Sequence, residues 1–184
     1  IQDMGARFYT YIYSMAYAME ACARKGKSMI VLDRVNPLGG LKRCGTIIRP
    51  EFASFVGDYE LATQYGLTMG EFAGYVKDYL KLDVDLTVVE LEGWTRDTLL
   101  DETDLPWVAP SPNLTNLEGA LCYIGTCHLE GTNLSAGRGT TKPFELLGAP
   151  WLRATEVCKV MNGMQLPGVF FRESDFVPSF HKYA

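Results

Sequence analysis

Three groups of residues carry types that can do chemistry. The first is Asp3, Arg7, Tyr9 and Tyr11, with Glu20 further along the same helical pattern. A carboxyl group and a guanidinium where the chain enters a helix can both be aimed into a cleft. The second is Asp33-Arg34-Val35-Asn36-Pro37. The third runs over residues 129–141 and on into Pro143-Phe144-Glu145, with Glu130, Asn133, Ser135, Arg138 and Thr140 set among glycines. Glycine admits positive φ and close approach of a ligand, so this stretch suits a loop that offers polar groups to something small and hydroxylated. Glu130 can act as general acid, base or acceptor. Asn133, Ser135 and Thr140 can contact hydroxyls or amides, and Arg138 can grip a carboxylate or phosphate through two parallel hydrogen bonds.

Each group also has a plainer reading. Asp3 can cap the helix and Arg7 can sit in an ion pair. Glu20 stands four residues before Arg24, the spacing of a helical ion pair worth about 0.2–0.5 kcal/mol. Asp33 and Asn36 are residues that build Asx turns. The third stretch can be a surface loop whose polar residues cap one another.

The types that are missing narrow the chemistry. With His128 and His181 as the only histidines, neither a Ser-His-Asp arrangement nor a histidine-based zinc site is convincing. There is no G-x-x-x-x-G-K-[ST] phosphate loop. Acid–base work at carboxylates is the most economical enzyme class that survives, and glycoside hydrolysis would need two carboxyl groups about 5–10 Å apart.

The elements that must position these groups follow from periodicity. Phe8, Ile12, Met15, Met19 and Cys22 recur at helical spacing, beside a second stripe of Tyr9, Tyr13, Tyr17, Glu20 and Arg24, with Gly26 as terminator. Residues 28–32 form a short apolar run that fits a buried strand, and the Asp33 group stands at its carboxyl end, where ligand groups collect in open α/β sheets. Residues 41–66 read as irregular. Thr68-Met69-Gly70-Glu71 is a capping box opening a helix to about Leu80, and residues 85–91 read as a second strand. Thr115-Asn116-Leu117-Glu118 reads as another capping box, for a short helix through Cys122. A last helix is expected from Ala149-Pro150-Trp151 and a final strand over residues 168–172. Strands alternating with helices indicate an α/β class. The expected organisation is a larger portion over residues 1–110 and a smaller one over 111–184. The opening residues, from Ile1, read as the tail of a strand entering a loop, so processing or truncation upstream is expected.

Bulk properties set the frame. The 184 residues, 47% hydrophobic, suffice for a packed core, and the formal net charge of −5 speaks against a nucleic-acid partner. No apolar run reaches the length of a membrane span. The cysteines at 22, 44, 122, 127 and 158 follow no metal-binding spacing; buried thiols are expected, with a Cys122–Cys127 disulfide as the alternative.

Longer motifs carry a resemblance. Gln2-Asp3-Met4-Gly5-Ala6-Arg7-Phe8-Tyr9-Thr10-Tyr11, Met15-Ala16-Tyr17-Ala18-Met19-Glu20, Val31-Leu32-Asp33-Arg34-Val35-Asn36-Pro37-Leu38-Gly39-Gly40, Gly66-Leu67-Thr68-Met69-Gly70-Glu71, Glu92-Gly93-Trp94 and the stretch from Glu130 to Glu145 occur in the right order. In these motifs the chain resembles the NamZ-type exo-β-N-acetylmuramidases, bacterial glycoside hydrolases long catalogued as a domain of unknown function. Tyr65 stands where that pattern usually has histidine, and Val35 where it usually has proline.

The resemblance implies a Rossmann-like domain, its mixed or parallel sheet flanked by helices, with the start of a smaller second α/β domain. It also implies removal of terminal N-acetylmuramic acid from peptidoglycan fragments without a cofactor, in the cell envelope. It further implies an upstream segment with a Pro-Glu-His-Gly motif, the expected carrier of a catalytic glutamate, and a continuation beyond the sequence, so part of the active site is expected to lie outside these residues. On this reading Glu20 and Glu130 are the catalytic carboxylates. Asp3, Arg7, Tyr9, Tyr11, Asp33, Arg34, Asn36, Asn133, Ser135, Arg138 and Thr140 bind substrate. Arg7, Arg34 or Arg138 would hold the lactyl carboxylate, Asn36 or Asn133 the acetamido group, and Tyr9 or Tyr11 a sugar face. The alternatives are a muropeptide-binding module without catalysis and a fragment of a larger assembly.

Overall fold

The computed structural model describes residues 2–184; Ile1 lies outside the described residues, and residues 2–5 are not in a strand. The chain packs as two compact units, Ile1–Pro110 and Ser111–Ala184.

The first unit is built on a βαβ core. Helix α1 spans Tyr11–Arg24 and strand β1 Met29–Leu32. Helix α2 follows over Met69–Tyr79, then strand β2 over Leu86–Val89. The strands pair in parallel, Met29 opposite Leu86 and Leu32 opposite Val89. The long irregular connection between β1 and α2 contains one short 3-10 turn, Pro50–Phe52. Helix α2 packs against α1 and against both strands. The core is Ile12, Tyr13, Ala16 and Met19 from α1, Val31 from β1 and Phe72, Ala73 and Val76 from α2, closed by Tyr59, Leu61, Tyr65 and Val84. Fully burying an aliphatic or aromatic side chain of this size contributes about 1.5–3 kcal/mol.

The buried stripe of α1 draws on both stripes seen in the sequence. Tyr13 is fully buried while Phe8 precedes the helix, because the helix starts at Tyr11. The α2 capping box is present in full. Thr68 Oγ1 accepts from the Glu71 amide at 3.2 Å, and Glu71 Oε2 accepts from the Thr68 amide at 3.0 Å. Strand β1 was expected to be buried, but only Val31 is. Ile30 is 66% and Leu32 71% exposed, and Val89 on the same face is 50% exposed, so a two-stranded sheet covered by α2 on one side leaves the other side open.

The second unit holds helices α3, Leu117–Thr126, and α4, Ala154–Gly163, joined through a 3-10 turn at Cys127–Gly131 and a long loop. Its interior gathers Leu114, Ala120, Tyr123, Ala136 and Phe144, with Tyr123 and Phe144 edge to face at 4.8 Å. Three local expectations change here. Asn116, not Thr115, caps α3, its carbonyl oxygen accepting from the Gly119 amide at 2.7 Å. Helix α4 begins at Ala154 rather than at the Ala149-Pro150-Trp151 turn. Residues 168–172 are not a strand. Among the described residues no neighbouring strand offers a ladder, and the Asn162 side chain takes over both backbone bonds of Phe171, at 2.7 and 2.8 Å. The cysteines are free thiols, with Cys44 and Cys122 exposed and the other three half-buried. No helix among the described residues is long and apolar enough to cross a membrane.

Candidate active site

In the first unit the opening segment lies across the carboxyl end of β1. The Gln2 amide donates to the Val35 carbonyl at 3.2 Å, and Arg34 Nε donates to Gln2 Oε1 at 2.9 Å. The first two sequence clusters therefore meet in space. Asp33, the first residue after β1, ties the strand to α2. Its Oδ1 accepts from the Gly70 amide at 2.7 Å and its Oδ2 from the Thr68 hydroxyl at 2.8 Å. Position 70 must be glycine for this approach, since a Cβ there would lie 2.8 Å from Asp33 Cγ. Asn36 makes the expected Asx turn, its Oδ1 accepting from the Leu38 amide at 3.0 Å, and its Nδ2 donates to the Leu67 carbonyl at 2.9 Å.

Asp3 stands apart from these structural ties. It is 5% exposed. Oδ2 accepts from the Gly5 amide at 2.7 Å and from the Tyr65 hydroxyl, while Oδ1 has no hydrogen-bond partner among the described residues. Burial raises its pKa from 3.8 to about 6, against the lowering effect of the Tyr65 and backbone hydrogen bonds. Burial, then the Asp3 charge, keep the Tyr65 phenol protonated well above the ordinary tyrosine range. An acid with one free oxygen and a pKa near neutrality can both give and take a proton at neutral pH. Tyr65 in turn lines a cavity of about 320 Å³ together with Gly40, Arg43, Gly66 and Arg96.

The other sequence candidates of this unit are engaged locally. Arg7 Nη1 donates to the Thr46 and Leu61 carbonyls at 2.5 and 2.7 Å, so carbonyl oxygens stand where an ion pair was anticipated. Tyr9 and Tyr11 meet edge to face at 4.9 Å, and the Tyr11 hydroxyl donates to the Pro110 carbonyl at 2.6 Å. Glu20 faces Arg24 across one helical turn at 3.4 Å.

The third cluster folds into the second unit as a braced loop. Arg138 grips both carboxylate oxygens of Glu130, one of them at 3.1 Å, and lies over the Phe144 ring at 5.0 Å. Burial pushes the Glu130 pKa up, but the Arg138 hydrogen bonds and charge outweigh it, so the carboxyl titrates below its ordinary 4.5. Ser135 is buried, its Oγ accepting from the Gly137 amide at 3.2 Å. The Thr140 hydroxyl donates to the Gly137 carbonyl at 2.6 Å. The Asn133 side chain is exposed, and its carbonyl accepts from the Tyr183 hydroxyl at 2.5 Å. Lys182 Nζ donates to the carbonyls of Glu130, Thr132 and Leu134 at 2.8, 2.6 and 3.2 Å. A groove of about 650 Å³ in this unit is lined by Thr140, Lys142, Arg172, Asp175 and Phe180 among others. No cluster of His, Cys, Asp or Glu among the described residues suits a metal ion.

Sequence reading had no means of linking Tyr65 to Asp3, 62 residues away, or of finding Arg43 and Arg96 beside it. The one signal was the departure at Tyr65 from the usual histidine.

Comparison with known proteins agrees with this order of motifs. Residues 1–118 match the family described as exo-beta-N-acetylmuramidase NamZ, N-terminal, and residues 121–184 its C-terminal counterpart. The peptidoglycan beta-N-acetylmuramidase NamZ of Bacillus subtilis (strain 168) is 51% identical over 183 residues, covering 100% of this chain and 44% of that protein. Crystal structures of two DUF1343 family proteins from Bacteroides fragilis NCTC 9343 superpose with TM-scores of 0.93 and 0.74, at 38% and 40% identity. The first match covers 100% of this chain and 48% of the solved one, the second 82% and 42%. The chain thus spans less than half the length of these relatives. With both family regions matched in sequence order, the chain belongs to the NamZ exo-beta-N-acetylmuramidase family.

Proposed function

We propose that this chain carries part of a glycosidase that releases terminal N-acetylmuramic acid from peptidoglycan fragments, working in the cell envelope by acid–base chemistry at carboxyl groups. The B. subtilis relative bears the name of that activity at 51% identity. The observation that carries the reading is Asp3, a buried carboxyl with a pKa of about 6, one free oxygen and a hydrogen bond from a tyrosine that lines a cavity. A glycosidase needs one carboxyl group that holds its proton near neutral pH to protonate the leaving oxygen. Asp3 has that property, and Tyr65, whose hydroxyl donates to Asp3, belongs to the cavity lining.

Glu130 has the complementary property, because Arg138 keeps it ionised. It and Glu20 are the candidate catalytic carboxylates from the sequence, and each is open to its own test. The parallel βαβ core and the uncovered face of Ile30, Leu32 and Val89 support a larger Rossmann-like sheet. Parallel strands are almost always covered on both faces.

The test is turnover of a chromogenic N-acetylmuramic acid β-glycoside by the full-length parent protein and by its Asp3→Asn, Glu20→Gln and Glu130→Gln variants, beside calorimetric titration of the free sugar. Asp3→Asn is expected to lower kcat by about 100-fold or more while still binding the sugar. Binding without turnover by the unaltered parent protein would instead support a muropeptide-recognition module. Unchanged kcat in Asp3→Asn would remove Asp3 from the chemistry.

A further inference from the structure

Resting on the glycosidase reading above, we infer that the cavity beside Tyr65 is an anion-reading subsite in which Arg43 and Arg96 hold the carboxylate of an acidic sugar. The two guanidinium groups line the same small cavity, whose size of about 320 Å³ lies at the lower end of ligand pockets and suits one sugar residue. Arg96 is fixed there. It pairs with Glu71, its Nη1 donates to the Gly66 carbonyl at 3.3 Å, and its guanidinium lies over the Trp94 ring at 5.5 Å. Arg43 is the opposite case, exposed and with no hydrogen bond or ion pair among the described residues. Glu71 pairs with Arg96, and no carboxylate is among the described residues lining the cavity, so Arg43 brings it positive charge.

Backbone shapes the walls. Gly66 has φ +67°, and a Cβ there would lie 3.0 and 3.1 Å from the Lys42 and Gly40 carbonyl oxygens and 3.4 Å from Arg43 Cγ. The arginine stem therefore runs directly over a bare stretch of main chain. The arginines expected from sequence to read the carboxylate each hold a partner, Arg7 two carbonyls, Arg34 Gln2 and Arg138 Glu130, though Arg7 Nε and Arg34 Nη2 are buried without one among the described residues. Arg43 can swing onto a ligand without first giving up a partner, and a carboxylate held in two-point contact is a group its geometry matches.

Titration calorimetry with three ligands isolates this charge: N-acetylmuramic acid, its lactyl methyl ester, and N-acetylglucosamine. The chain is expected to bind the free acid about 10–100-fold more tightly than the ester or N-acetylglucosamine. Arg43→Met is expected to erase that preference while leaving ester binding and melting temperature unchanged, and Arg43→Lys to restore part of it. An Arg43→Met protein that folds and keeps the preference overturns the subsite. If that happens while chromogenic turnover persists, the glycosidase reading stands and this inference alone falls. Failure of the unaltered chain to bind any of the three overturns the subsite, and the glycosidase reading then stands or falls on turnover by the full-length parent.

Discussion

Asp3 in the first unit and Glu130 in the second are both carboxyl groups drawn away from water, yet their proton affinities move in opposite directions. Asp3 is held by a neutral phenol and a backbone amide, and burial wins, so its pKa rises to about 6. Glu130 is held by a guanidinium on both oxygens, and the charge wins, so its pKa falls. The lesson is that burial alone does not set the protonation of a carboxyl group; the charge of the nearest partner decides the sign. The first arrangement yields a group that can exchange a proton near neutrality, the second a fixed anion that braces a loop.

The two sites therefore give opposite pH signatures in stability. The folded-state pKa of Asp3 lies above its ordinary 3.8, so the folded protein holds the extra proton and loses stability as pH rises from about 4 to 6. By linkage this amounts to about 3 kcal/mol. The folded-state pKa of Glu130 lies below its ordinary 4.5, so its contribution is present above that value and is lost as pH falls through the folded one.

The largest expected effect breaks the first half of this contrast. Asp3→Asn should abolish the stability lost between pH 4 and 6, seen as a flatter curve of urea unfolding free energy against pH. Next, Arg138→Leu leaves Glu130 half-buried beside no cation. It should destabilise the second unit by about 1–3 kcal/mol at pH 7, and Glu130→Gln added to it should recover part of that loss. Lys182→Met withdraws the ammonium from three carbonyls of the same loop and should cost about 1–2 kcal/mol in chemical denaturation. Tyr65→Phe should have the smallest effect on stability. It removes a hydrogen bond that favours ionised Asp3, so the Asp3 titration should move further upward while the Glu130 titration stays put.

These contrasts were only partly legible in the sequence. The capping box at Thr68 and Glu71 and the long first helix follow from local spacing, and the structure has them; that the two strands run parallel is one of the two sheet types the family resemblance implies. The strand expected over residues 168–172 and the buried character of β1 depended on neighbours that local pattern does not reveal. At the site, the polar residues after β1 and the glycine-rich loop stood out by composition. Their partners did not, because the bonds that define them join residues far apart: Asp3 with Tyr65, Asp33 with Gly70, Lys182 with Glu130. Asp33 illustrates the consequence, since its bonds to Thr68 and Gly70 across the chain carry no local sequence signal.

The most direct measurement of the central claim is a side-chain carboxyl NMR titration of the full chain, following Asp3 and Glu130 together. Asp3 titrating near pH 6 and Glu130 below 4.5 is the expected result. Asp3 titrating near 3.8, or Glu130 at or above 4.5, would contradict it.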